Sequence, residues 1–165
     1  MKKFELTAEF VTNVFGKKLF RIKALVAFGN VEKGELGGFI EKEDNLSHDG
    51  DAWVYGNAQV FGNAQVSGDA RVSGDAQVSG DAWVSGNARV SGDADYATVA
   101  GFGRYSRTTT FFRCKDKILR VQCGCFYGDL AQFREIVKKT HGDSKYAKEY
   151  LAIADLMELH FSDEC

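Results

Sequence analysis

The chain has 165 residues, 44% of them hydrophobic and 27% charged, with a formal net charge of −2. That is enough chain for one packed core with appendages, and so even a balance argues against a broad nucleic-acid or membrane-binding surface while leaving room for a local patch. No apolar run reaches the length of a membrane span.

The start, Met1 to Glu5, carries two lysines but no apolar stretch behind them, so no secretory signal is expected. The four cysteines then read as reduced thiols in a cytoplasm. Residues 1–35 are expected to form an N-terminal β cap. Phe20, Ile22, Ala24, Val26 and Phe28 alternate as in a half-buried strand. Gly16-Lys17 supplies a hairpin turn back to an earlier strand at Phe4 to Val11.

From Gly50 to Ala94 the chain repeats every six residues as Gly, Asp or Asn, Ala, a variable residue, Val and a sixth residue. Alternation within each repeat predicts a short strand, and each Gly-Asx pair predicts a corner, because those residues accept positive φ. A short strand plus a corner at this period predicts a parallel β-helix with three repeats per coil, so residues 18 apart should stack. The phase extends outward to residues 36–102. Stepping back by six places Leu46 and Ile40 in the Ala column and leaves Lys42 and His48 in the Val column. Stepping forward places Tyr96 and Phe102 in the Val column.

Residues 103–165 change character. Residues 103–107 read as a loop, and Thr108 to Arg113 and Ile118 to Cys123 read as strands around the turn Lys115-Asp116-Lys117. Asp129 with Gln132 makes a capping box for a helix ending at His141-Gly142. A second helix spans Ser144 to Phe161. Tyr146, Tyr150, Ile153 and Met157 share one side of it, and Leu151, Leu156 and Leu159 lie off that stripe. So broad an apolar surface predicts burial on two sides, and hence a homo-oligomer, dimer or trimer, joined through the C-terminal helices.

In pairs such as Val54 with Ala58 and Val60 with Ala64, an aliphatic residue is followed four positions later by a small one, with Asn57 and Asp75 at corners. This pattern resembles the hexapeptide repeat of left-handed β-helix proteins, and the left hand is what the resemblance implies. The wider layout, with FRIKALVAFGNVEKGELGGFIEKEDNLS before the repeats and TTTFFR and KYAKEYLAIADL after them, resembles hexapeptide-repeat proteins encoded by phages and prophages. That resemblance implies a mobile-element origin and a bacterial cytoplasm. It supplies no catalytic residues, because that family is mostly without an assigned activity. The fold expected is therefore mainly β: a left-handed parallel β-helix with the N-terminal cap, a C-terminal β-hairpin and two helices.

Many left-handed β-helices transfer acyl groups with a histidine base. Of His48, His141 and His160, only His48 falls in the repeats, and its phase points it inward. Cys123 and Cys125 would share one face of a strand as small hydrophobes, with Cys114 across the turn and Cys165 at the end, so no zinc set is expected. The stacked corner acids, such as Asp51 over Asp69, read as turn chemistry. No catalytic residue, metal or cofactor is predicted.

Of the three outward faces, one carries Gln59, Gln77 and Phe61, and another carries Ser47, Gln65 and Trp83. The third carries Trp53, Arg71 and Arg89 in a column, with Glu35 before them and Tyr55 beside it. Only this third face joins aromatics to paired arginines, the composition of binding hot spots. Trp53, Tyr55, Arg71 and Arg89 are accordingly the predicted partner-binding residues; the competing reading packs Trp53 and Tyr55 under the terminal segments. The function expected is that of a non-catalytic phage or mobile-element protein that binds a host protein, a protein–nucleic-acid complex or an anionic signalling molecule. Inhibition of a bacterial antiviral defence such as CRISPR would fit. A small acyltransferase and a structural or assembly module of a phage are the alternatives.

Overall fold

The valines at six-residue spacing carry the fold in the computed structural model, which describes residues 2–92, 95–103 and 107–162. Each valine from Val54 to Val90 is fully buried, and the intervening alanines from Ala52 to Ala88 join them in one core. Each valine also ends a two-residue strand: β4 (Trp53–Val54), β5 (Gln59–Val60), β6 (Gln65–Val66), β7 (Arg71–Val72), β8 (Gln77–Val78), β9 (Trp83–Val84) and β10 (Arg89–Val90). These strands pair in parallel with partners 18 residues away, as Trp53 with Arg71, Gln59 with Gln77 and Gln65 with Trp83. Three ladders result, and each rung is tied by bonds such as Trp53 N–H to Ala70 O at 3.1 Å and Gln65 N–H to Ala82 O at 2.9 Å.

The corners explain the glycines. At Gly74 φ is +62° and an added Cβ would stand 2.3 Å from the Ser91 carbonyl oxygen, so both conformation and space exclude a side chain. The Asx residues that follow serve the next rung: Asn63 Nδ2 donates to Asp81 Oδ1 at 3.4 Å, and Asp51 N–H donates to Asp69 Oδ1 at 3.3 Å. The corner acids serve the turns through these side-chain bonds and not, as expected, by accepting positive φ, which the glycines before them adopt.

The first rung differs from the reading by phase. Ile40 pairs with Val60 and Leu46 with Val66, a spacing of 20 and not 18. Ile40 and Leu46 are therefore buried in the Val column, and Lys42 and His48 point away from it. Two extra residues in the corner between Leu46 and Ala52 cause the shift. Backward extrapolation cannot see an insertion that leaves no break in hydrophobicity. Gly38 takes the small position beside Ala58, where a Cβ would meet the Ala58 carbonyl oxygen and Val54 Cγ1, each at 2.6 Å. Asn45, in a short 3-10 turn at Glu43–Asn45, is buried and donates to Gly62 O and Ala64 O, at 3.2 and 2.8 Å.

The two ends are covered differently. β1 (Phe4–Thr12) and β2 (Lys18–Ala24) form the expected hairpin, closed at Asn13 to Lys17, and β2 pairs antiparallel with β3 (Leu36–Ile40). Through β3 the hairpin joins β5 and β8 in a five-stranded sheet. The strand stops at Ala24, short of the expected Phe28, which makes only an isolated bridge to Val31.

At the other end, β11 (Tyr96–Phe102) does not continue the Val column. It pairs antiparallel with β12 (Arg107–Arg113), which leads to β13 (Leu119–Cys123) and β14 (Phe126–Asp129) in a four-stranded sheet. Threonine and aromatic residues on β12 supply side chains that a second antiparallel partner can use, and that pairing wins over the six-residue phase.

Two helices, α1 (Leu130–His141) and α2 (Lys145–His160), pack on this sheet around Phe111, Val121, Phe133 and Tyr150. The Asp129–Gln132 capping box is present, and Ser144 caps α2. The architecture is thus a mixed β/α fold of several sheets with a C-terminal two-helix element. Among the described residues no helix is long and apolar enough to cross a membrane. The loop expected at 104–106, Ala94 and Cys165 lie outside the described residues.

Lys3 fastens the N-terminal segment. It is buried, donates from Nζ to Ala52 O at 2.7 Å and Gly50 O at 3.3 Å, and lies 4.5 Å from the Phe28 ring centroid. Burial pushes its pKa down from 10.5 to about 8, against the attraction of Asp51, Asp49 and Asp69. Between these values the unfolded chain holds a proton that the folded chain has released, so stability from this group rises as pH climbs through that window. Urea midpoints at about pH 7.5 and about pH 9 should therefore rise more for the wild type than for Lys3→Met. Equal pH dependence in the two proteins would show that Lys3 is not desolvated.

Candidate functional site

On the ladder of β4, β7 and β10 the residue before each valine faces away from the core. In register these are Trp53, Arg71 and Arg89. The predicted face exists as a column, but its first member is not available. Trp53 is 0% exposed, which corrects its placement as an outward aromatic. The N-terminal segment lies across it: Phe28 and Phe4 meet the indole edge to face, with centroids 5.2 and 6.3 Å away. Gly37 approaches so closely that a Cβ would sit 2.8 Å from Trp53 Cζ2. Trp53 Nε1 is buried without a hydrogen-bond partner among the described residues, a cost the apolar burial of a ring this large outweighs. The Phe4 and Phe28 positions were legible as apolar; that they fold over this particular rung was not.

Arg71, Arg89 and half-buried Tyr55 remain together. With Ser73 and Ser91 they line a shallow recess of about 390 Å³. Arg89 is held flat against the chain, donating from NH1 to Asp69 O and Ala88 O, each at 2.9 Å, and to Asn87 O at 3.3 Å. Burial, and then the charge of Arg71, push its pKa down from the ordinary arginine value. Arg71 makes no ion pair or hydrogen bond among the described residues. Glu35, expected in the same column, lies instead beside β2, its carbonyl accepting from Ala24 N–H at 2.9 Å. Two like charges one rung apart thus face outward with no carboxylate paired to either among the described residues.

His48 is not a core residue of the repeats. Its ring stacks on Phe4 with centroids 4.2 Å apart. Nδ1 accepts from Lys3 N–H at 3.0 Å, which leaves the ring hydrogen on Nε2 to be donated to Glu43 Oε1 at 2.9 Å. Both nitrogens are committed, so the ring offers no lone pair to a reacting group. His141 ends α1 and stacks on Tyr150, with centroids 5.8 Å apart, and His160 ends α2 against Phe161.

The cysteines are dispersed. Buried Cys114 bridges to Ala88, and burial pushes its thiol pKa up. Cys123 ends β13 and accepts from Thr109 Oγ1 at 3.2 Å. Cys125 is exposed in the turn after Gly124, so it does not share a strand face with Cys123 as expected. The positive φ of Gly124, +58°, breaks the strand between them. Among the described residues no three His, Cys, Asp or Glu side chains converge as a metal site requires.

Sequence reasoning passed over a second exposed feature, Trp83. It stands in register with Gln65 on the β6–β9 ladder, is 41% exposed and borders an open groove. An outward tryptophan in the repeat was the available signal.

Residues 64–80 match the family described as YdcK Beta solenoid repeat. No curated protein matches the chain.

Because Trp53 is core and not surface, Trp53→Ala should destabilise the protein by about 3–5 kcal/mol. At roughly 2–4 °C per kcal/mol for a chain of this size, circular dichroism melting reads the loss directly. An unchanged melting temperature would return Trp53 to the surface.

Proposed function

We propose that this protein is a non-catalytic binding protein that docks an acidic partner on the face of Tyr55, Arg71 and Arg89. The observation that carries this reading is the Arg71–Arg89 pair, adjacent along a ladder, directed outward and without a carboxylate among the described residues. Like charges facing each other across a ladder destabilise it. An anionic partner reverses that sign, because a guanidinium fork binds carboxylate or phosphate at two points. Tyr55 adds a rigid, half-covered ring at the edge of the recess, and the two serines add neutral donors. The partner is a host protein with an acidic patch. A protein–nucleic-acid complex or an anionic signalling molecule presents the same chemistry.

In this reading the three parallel ladders are the sides of a left-handed hexapeptide-repeat β-helix running from about residue 36, with terminal units that cap it. The match over residues 64–80 supports a β-solenoid repeat. The protein is of phage or prophage origin and works in the bacterial cytoplasm, where it blunts an antiviral defence by occupying one of its components.

The change Arg71→Glu, at a side chain without a hydrogen bond to other described residues, should leave the melting curve nearly unchanged, whereas Arg89 is tied to three carbonyls and is left in place. It should weaken retention of the captured partner about tenfold or more, as loss of hot-spot arginines does. A pull-down from host lysate, with wild type and variant compared band by band, makes the measurement. Equal recovery of every band by the folded variant would remove the arginine face from the function.

The C-terminal helices are proposed to join two or three copies. Leu156 and Leu159 are 55% and 69% exposed on α2, although Tyr150, Ile153 and Met157 on the same helix are buried against the sheet and α1. Light scattering at tens of micromolar should show an oligomer, and Leu156→Glu with Leu159→Glu should give a folded monomer. A monomeric wild type would sink this arrangement.

A further inference from the structure

The β6–β9 face carries a different chemistry from the arginine face. Its largest side chain is Trp83, and the ring is fixed in place. Nε1 donates to Ser67 Oγ at 3.1 Å, and the main-chain N–H donates to Thr110 Oγ1 at 3.0 Å. The indole therefore leans back over the preceding rung as a half-exposed platform held by one side-chain hydrogen bond, which lowers the rotamer entropy left to lose when a ligand arrives.

Trp83 closes one end of an open groove of about 710 Å³. The far end is the His48–Glu43–Lys2 chain of contacts, with Lys2 Nζ 3.4 Å from Glu43 Oε1. Between them the groove crosses the rungs of Leu46, Gln65 and Trp83. That is a length of roughly 10 Å at ~4.8 Å per strand.

The polar groups facing this groove divide into spent and unspent. Glu43 is taken by His48 and Lys2. The Gln65 amide and the Asp44 carboxylate form no hydrogen bond with other described residues, and Asp49, although it attracts the Lys3 ammonium, makes no ion-pair contact with another described residue. Planar amides and carboxylates each offer two-point hydrogen bonding, the amide as donor and acceptor and the carboxylate as a double acceptor. The unspent charges are negative, which repels phosphate and so excludes nucleotides and nucleic acid from this face. A single aromatic platform without flanking rings is not a cage for a cation.

We infer that the groove between Trp83 and His48 binds a neutral oligosaccharide, with one pyranose ring stacked on the Trp83 indole and its hydroxyls hydrogen-bonded by Gln65, Asp44 and Asp49. The C–H bonds on one face of a pyranose carry partial positive charge and meet the negative face of the indole. The hydroxyls at the ring edge are both donors and acceptors, which is what an amide beside two carboxylates can satisfy. An open groove admits an extended chain, whereas an enclosed pocket would select a monosaccharide.

The chain contains two tryptophans, and only Trp83 reaches solvent, so quenching of intrinsic fluorescence by neutral acrylamide reads this platform. The intact protein is titrated with maltohexaose, chitohexaose and a mannohexaose, each up to about 10 mM, a range that captures weak binding. At least one sugar should shift the emission and protect it from acrylamide. Trp83→Ala should weaken that sugar about tenfold or more by calorimetry, and Trp83→Phe should recover part of the loss. Gln65→Ala, at an exposed position, should also weaken binding and keeps the test decisive if Trp83→Ala fails to fold. The inference is overturned if no sugar alters quenching. It is equally overturned if octa-lysine binds in the groove and Asp44→Asn abolishes that binding, because the site is then one for basic peptides.

Discussion

Everything in this molecule depends on one main-chain hydrogen bond repeated along the chain, from the N–H of a residue to a carbonyl 17 positions later, as in Asn63 to Gly80 and Ser67 to Val84. Such a ladder holds only if each circuit has the same length, and the Gly-Asx corners fix that length. It also leaves a fixed interior cross-section. Valine from one position of each repeat and alanine from another fill it, and every one of these side chains from Ala52 to Val90 is buried. Because identical rungs stack, no single contact is special, and the specificity has to come from where the stack is allowed to start and stop.

A parallel stack has two open ends, each a row of unpaired backbone groups that would recruit another chain. At the start the circuit is lengthened by two residues, so that Ser47 donates to Val66 O and Phe39 to Ala58 O across 19 positions. The bulge this makes at Ser47 to Asp51 carries His48, and the Lys3 N–H bond to His48 and the Lys3 ammonium bonds to Gly50 and Ala52 tie the N-terminal segment to it. At the other end Phe112 enters the same core as the valines, Cys114 bridges to Ala88, and Ser85 Oγ donates to Gln122 Oε1 at 2.9 Å. Covering the ends consumes surface. It takes Trp53 out of the arginine column and leaves Arg71, Arg89 and Tyr55 between the two covers. On another side Thr110 of β12 reaches the Trp83 main-chain N–H but leaves the ring half exposed, with its Nε1 turned to Ser67.

The C-terminal unit shows the same division between what is spent and what is left. The sheet of β11 to β14 and the two helices share the core of Phe111, Phe133 and Tyr150, and burial pushes the Tyr150 hydroxyl up to about 12. Arg134 bridges the helices to Asp155 and Glu158, at 2.8 and 3.2 Å. These exposed pairs contribute little to stability. Beyond them Leu156 and Leu159 stay exposed, without cover from the other described residues. Among the described residues, two ladder faces and one helix face are therefore left with unsatisfied chemistry.

The sequence by itself determined whatever depends on neighbours along the chain. The six-residue period named the buried Val and Ala columns and the 18-residue register from Trp53 onward. Local capping signals placed α1 at Asp129 with Gln132 and α2 at Ser144, and Gly16 with its neighbours gave the N-terminal hairpin. Tertiary structure alone decided three things. The two-residue insertion before Ala52 put Ile40 and Leu46 in the Val column, and only the pairing partner reveals such a slip, because either phase alternates equally well. Tyr96 to Phe102 left the repeat for an antiparallel partner whose strand lies later in the chain. Trp53 went inside and Trp83 stayed outside although both occupy the same position of the repeat. The period fixes which side of a strand a residue faces, but exposure is set by the segment that crosses that side, and the hairpin crosses only one of them.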